Sequence, residues 1–204
     1  MPKVSDQHLA ARREQILTAA INRFAENGFH STGMAEVIAA SGLSAGAVYR
    51  YFPSKEDLIR AIVEERVLLQ AAAAFGQVID DGIDDPADAI AAAITVVDRA
   101  GAREGADLTR LAVQAWGEAL RNPQIRQIAQ QAYRTIRGYL TVVVRKAQEH
   151  GKAGADVPPE QLATVLLSLI MGFMLQRLIM GDMVGEDYVA ALRALLRSSL
   201  ATSS

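Results

Sequence analysis

Apolar residues recur at helical spacing along almost the whole chain, and clusters of Gly, Pro and Asp cut the pattern into segments. Leu9, Ile16, Leu17, Ala20, Ile21 and Phe24 share one face of a first helix. That helix is predicted to end near Asn27-Gly28, with Gly28 as a left-handed C-cap. Two short helices follow, Met34 to Ala40 and Ala45 to Phe52, separated by Ser41-Gly42-Leu43-Ser44 and stopped at Pro53. A fourth starts at Ser54, where Ser54-Lys55-Glu56-Asp57 has a capping-box pattern with acids in the first turn. Its buried stripe is Leu58, Ile59, Ile62, Val63 and Val67, and it is predicted to run to Ile79. Beyond the break at residues 80–86, helices are predicted over residues 87–100, 107–120, 124–149, 160–180 and 186–200. The last four residues are expected to fray. No strict apolar–polar alternation bounded by turn residues is present, so the expected fold class is all-α with about nine helices.

Composition agrees. Half of the 204 residues are apolar and only 5% aromatic, with Ala and Leu dominant, which favours helices over sheet. The length suits one large domain or a small one plus a medium one. With no cysteine, disulfides, thiol chemistry and Cys-zinc sites are excluded. The three histidines, His8, His30 and His150, have no metal-ligand spacing, and no Gly-rich phosphate loop or nucleophile elbow is present. Neither catalytic residues nor a metal or cofactor is expected. The first six residues are polar and do not read as a signal peptide. The most membrane-like run, Gln161 to Gln176, is free of charge for 16 residues between Glu160 and Arg177. That is short of the roughly 18 or more needed to span a bilayer, so a buried core or dimer helix in a cytoplasmic protein, with no membrane partner, is expected. Formal net charge is −2, but residues 1–60 carry seven basic and six acidic side chains against 14 and 17 in the remainder. The sign suits a front end that meets nucleic acid.

The informative stretch runs from Thr32 to Leu58. Two short helices joined by four residues make a helix-turn-helix. Gly42 permits the positive φ of the tight turn, Leu43 can plug the angle between the helices, and Ser44 can cap the third. That helix opens Ala45-Gly46-Ala47, poor material for a core helix but suited to close approach to a groove floor. Val48 and Phe52, four residues apart, point to the core. Tyr49 can present its hydroxyl to phosphate, or be a half-buried core tyrosine. Arg50 can hold guanine bidentately, or be a solvated surface arginine or a phosphate clamp. Lys55, at a helix start, can meet phosphate together with free backbone N–H groups, or remain a surface lysine.

These residues resemble the TetR/AcrR family of one-component transcriptional regulators. The positions that carry the likeness are Thr32, Val37, Ser41, Gly42, Leu43, Ser44, Gly46, Val48, Tyr49, Tyr51, Phe52, Ser54, Lys55 and Leu58. With the first helix, the resemblance covers about the first 60–65 residues. Ile38 and Ser41 depart from it, each standing where the family has a small Ala. The resemblance implies a DNA-binding domain over 1–54 and a helical bundle for ligand sensing and dimerisation over 55–204. It implies that Thr32, Ser44, Tyr49, Tyr51 and Lys55 touch the phosphate backbone and that Ala45, Gly46 and Arg50 face the bases. The implied partners are double-stranded DNA bearing an inverted-repeat operator, a second copy of the chain, and a small apolar or amphipathic effector.

The effector site is expected among Gln114, Trp116, Tyr133, Ile136, Met171 and Met174, because Met and aromatic side chains suit an adaptable pocket. The same residues can equally fill the core. Two apolar stripes, Leu162, Leu166, Leu169, Ile170 and Phe173, and Leu192, Leu195, Leu196 and Leu200, are expected to form a four-helix dimer interface. A helical ligand-binding or interaction module without operator recognition is the alternative, and an architectural DNA-bender is disfavoured by the lack of a basic excess.

Overall fold

The computed structural model describes residues 6–82, 84–101 and 108–201. Among them every regular element is helical. The order is α1 (Asp6–Ser31), α2 (Met34–Ser41), α3 (Ala45–Tyr51), α4 (Lys55–Ile62), a π-helical turn (Val63–Leu68), α5 (Leu69–Asp80), α6 (Pro86–Gly101), α7 (Leu108–Ala119), α8 (Pro123–Glu149), α9 (Pro159–Met180) and α10 (Gly185–Ala201). The expected fourth helix is thus interrupted by a stretch of wider i→i+5 winding. Asp107, the expected start of the next-but-one helix, and most of the expected frayed tail lie outside the described residues, as do the first five residues.

The chain forms two compact units, Met1–Val67 with Arg103–Gln130, and Leu68–Ala102 with Gln131–Ser204. The expected cut at 54/55 falls inside the first unit. The physical reason is that α4 presents Leu58, Ile59 and Ile62 inward, and that both α4 and α7 pack on α1. In this unit Ile16, Leu17, Ala20 and Phe24 of α1 are buried, as are Val37, Val48 and Phe52. Burying each large side chain contributes about 1.5–3 kcal/mol. Gly28 breaks α1 with φ 82 and ψ 162. It does not form the expected left-handed cap; this is the extended positive-φ region that only glycine tolerates. Just beyond it the Phe29 ring lies 4.8 Å from that of Phe24.

In the second unit α6 packs on α5, α9 and α10. Its core joins Phe75, Ile90, Ile94, Leu140, Val143, Leu166, Ile170 and Phe173. Tyr139 stacks on Phe75 at 5.8 Å, and Tyr188 packs on Phe173 while its hydroxyl donates to the Leu169 carbonyl at 3.0 Å. The loop between α5 and α6 is tied to the end of α8 through Asp84, a buried carboxylate that pairs with both His150 and Lys152. The Lys152 ammonium, then His150, hold the Asp84 carboxyl below its ordinary range, and Asp84 in turn raises Lys152.

α9 is long and apolar enough to cross a membrane by length and composition. Its stripe of Leu166, Ile170 and Phe173, flanked by Leu162 and Leu169, packs into the core of its own unit. This corrects the expectation that those residues face a second copy. The helix is apolar all round, so its uncovered side is apolar too: Val165, Leu175 and Ile179 are exposed, with the small residues Thr164, Ser168 and Gly172 on the same side. Leu195 of α10 is exposed, whereas the side chains of Leu196 and Leu200 lie outside the described residues.

Candidate nucleic-acid interface

The turn between α2 and α3 forms as its residues dictate. Gly42 adopts φ 66 and ψ 15, and its N–H donates to the Ala39 carbonyl at 3.3 Å. Ser44 caps α3, its hydroxyl accepting from Ala47 N–H at 3.3 Å. Ser41, a departure from the family pattern, is buried. Its hydroxyl donates to the Ile38 carbonyl at 2.8 Å and accepts from Leu43 N–H at 3.3 Å, which ties down the turn.

Helix α3 then has two faces. Val48 is fully buried, and Phe52, which caps the helix, is nearly so. Ser44, Ala45, Gly46, Tyr49 and Arg50 are exposed, and Tyr51 is half-buried. Tyr49 is 47% exposed. Among the described residues neither its hydroxyl nor the Arg50 guanidinium has a hydrogen bond or ion pair. A short helix thus presents small residues at its N-terminal end and an unengaged phenol and cation further along, the make-up of a helix that enters a major groove.

Two expected contact residues are placed differently. Thr32 is 0% exposed, and its hydroxyl donates to the Arg23 carbonyl at 3.2 Å. The ammonium of Lys55, at the first turn of α4, donates to the Phe29 carbonyl just after the Gly28 break. Lysine has three donors, so two remain. Ser54 caps α4, accepting from Asp57 N–H at 3.1 Å and donating to the Asp57 carboxylate at 2.6 Å.

The six expected effector residues divide between the units. Gln114 and Trp116 lie half-buried on α7 in the first. Gln114 borders a cavity of about 380 Å³ beside Gly28 and Gly117, and its Oε1 is buried with no hydrogen-bond partner among the described residues. Tyr133, Ile136, Met171 and Met174 belong to the second unit, where Ile136 and Met174 pack against the core. Burial pushes the Tyr133 hydroxyl well above the usual range of a phenol, so it stays protonated. A cavity of about 470 Å³ in this unit is walled by Val144, Leu162, Val165 and Leu169, with Lys152 and Arg193 among its lining residues; none of the six lines it. The Asp84 cluster was not legible in the sequence, since its members lie 66 and 68 residues apart.

Residues 16–62 match the model of the tetR family of bacterial regulatory proteins, and residues 86–201 match that of the C-terminal domain of BetI-type transcriptional repressors. The transcriptional regulator UidR of Escherichia coli K12 is 30% identical over 200 residues, covering 94% of each chain. Among solved structures, GusR of Salmonella enterica is 31% identical with a TM-score of 0.74, covering 98% of this chain and 99% of its own. SmeT, solved as a complex with triclosan, is 25% identical with a TM-score of 0.72, covering 89% and 91%.

Proposed function

This chain belongs to the tetR family of bacterial regulatory proteins, and from that premise we propose how it regulates. It is a DNA-binding transcriptional regulator. On our reading it is a cytoplasmic repressor that acts as a homodimer. Two copies of α3 read the halves of an inverted-repeat operator, about 34–36 Å apart or a multiple of that. Ala45, Gly46 and Arg50 meet base edges. Ser44, Tyr49, Tyr51 and Lys55 hold the phosphate backbone. For Thr32, whose side chain is turned inward, only the main chain is left to do so. The observation that carries the reading is the exposed face of α3, with Arg50 and Tyr49 unengaged beside Ala45 and Gly46. Release by a small apolar or amphipathic molecule draws support from the bound small molecule of SmeT and from Tyr133, Ile136, Met171 and Met174 of the second unit.

The test starts from duplexes that the wild-type protein selects from random-sequence DNA, whose shared inverted repeat then defines an operator probe. Arg50→Ala is expected to cost about 1–3 kcal/mol per half-site and to level the preference at one base pair. Equal loss on every single-base variant of the probe makes Arg50 a phosphate clamp instead. If the wild type selects no duplex and retards none, the chain is a helical module without operator recognition and the reading falls.

A further inference from the structure

Three consecutive residues of α1, to which the DNA-reading account gives no role, reach three other elements of the first unit. Gln15 donates through Nε2 to the Ser41 carbonyl at the end of α2, at 2.7 Å, and its Oε1 is held by Arg12 at 3.0 Å. Glu14 pairs with Arg66 on the π-helical turn. Arg13 pairs with the neighbouring Glu65 and also lies over the Phe52 ring, 5.0 Å from its centroid. Phe52 is the C-cap of α3; its N–H donates to the Val48 carbonyl at 3.0 Å and its ring is 2% exposed. A seven-residue helix has few contacts with which to fix its own direction, so the group that holds its far end has leverage over the near end that enters the groove. A planar guanidinium suits this role, because its face attracts the ring while its edge donates to a carboxylate.

We propose that Arg13 is a positioning residue for operator recognition, setting the angle of α3 by holding Phe52 against Glu65 without itself contacting DNA. This rests on the reading of α3 as the recognition helix. A side chain that clamps phosphate and one that aims another helix differ in measurable ways. Loss of a phosphate contact weakens binding to all sequences and flattens the salt slope by about 0.9 per charge for each protomer. Loss of aim lowers operator affinity and discrimination while leaving the salt slope alone. Glu65 separates the two further. If Arg13 clamps phosphate, removing the competing negative charge at Glu65 should raise affinity for all DNA. If Arg13 positions α3, the same change should lower operator affinity.

The experiment measures full-length wild type, Arg13→Ala, Glu65→Gln and Arg50→Ala on the selected operator duplex and on a shuffled duplex of equal length, at several salt concentrations. Thermal unfolding is followed in parallel. The proposal expects Arg13→Ala and Glu65→Gln each to lose about two- to fivefold in affinity for the operator at each half-site, the size of a partly exposed cation–ring or charge pair. It expects little change on the shuffled duplex and an unaltered salt slope. A flatter slope for Arg13→Ala, or tighter binding by Glu65→Gln, overturns it. If Arg13→Ala does not fold, Glu65→Gln decides by the sign of its effect. If Arg50→Ala impairs operator binding and neither of the other two does, the positioning role fails alone. If Arg50→Ala is also silent, the recognition-helix reading fails and takes this proposal with it.

Discussion

At the scale of single residues, chemistry separates contacts of similar appearance. Tyr49 and Lys55 are both proposed to hold phosphate, but a hydroxyl carries no charge. Tyr49→Phe and Lys55→Ala are therefore both expected to weaken binding on all sequences, and only Lys55→Ala to flatten the salt slope. Lys55 also ties α4 to the carbonyl of Phe29, so its removal should lower stability slightly as well. Filter binding across a salt series, with a denaturant curve for each variant, tests both statements. Asp84 makes a different kind of prediction. Its native pKa lies below the ordinary value of 3.8, so its contribution is present above that value and is lost as the pH falls through the lower native one. Lys152 is raised above 10.5, so its share is present below that value and is lost only as the pH climbs through the higher native one. The link between the α5–α6 loop and the end of α8 should hold throughout the neutral range. Asp84→Asn should be less stable than wild type at neutral pH, with the gap closing as the solution is acidified below pH 4. A gap independent of pH would show that the carboxylate charge is not what stabilises the loop.

At the scale of elements, glycines at different backbone angles predict opposite outcomes. Gly28 interrupts α1 in a conformation closed to side-chain-bearing residues. Gly28→Ala should cost about 1–3 kcal/mol in urea unfolding. Gly46 sits in the first turn of α3 with no atom within 4 Å of where a Cβ would stand. Gly46→Ala should therefore stabilise the free protein by up to about 1 kcal/mol, because alanine forms helix more readily. The same methyl would occupy the face proposed to approach base edges, so operator affinity should fall while stability rises. If stability rises and operator affinity does not fall, that face does not enter the groove. The cap at Ser44 tests the turn itself. Ser44→Ala should cost about 1 kcal/mol of stability and a phosphate contact together.

At the scale of the whole molecule, the prediction is a symmetric dimer of about twice 21.9 kDa by light scattering. The surface that motivates it is the uncovered side of α9, where Val165 is 58% and Ile179 70% exposed around the small residues Ser168 and Gly172. Apolar residues left bare in such a row are a liability in a monomer, and small residues between them let a second helix approach closely. Ile179→Glu or Val165→Glu should yield monomers that keep their helical circular dichroism but bind the inverted repeat far more weakly. Phe173→Glu should instead unfold the second unit, since that ring lies in its own core. A clean wild-type monomer at micromolar concentration would sink the dimer reading.

What the sequence determined by itself was whatever depends on neighbours along the chain. The helical period, the αL turn at Gly42, the caps at Ser44 and Ser54 and the two faces of α3 were all legible, because each is set within one or two turns of backbone. The recognition pattern was legible for the same reason, being a run of local requirements at fixed spacing. Tertiary structure decided what local pattern leaves degenerate. α9 is apolar on every side, so periodicity could not say which stripe enters the core; packing on α6 chose Leu166, Ile170 and Phe173. Thr32 has an ordinary turn-like sequence context, and only the approach of Arg23 shows its hydroxyl turned inward. Nothing in residues 63–68 announces a π-helical turn, whose Glu65 and Arg66 pair with α1 some 52 residues earlier. The clamp of Asp84 by His150 and Lys152, and the seat of Arg13 over Phe52, likewise join residues the chain keeps far apart. Such pairs carry no periodic or spacing signal, because their geometry exists only once the helices have packed.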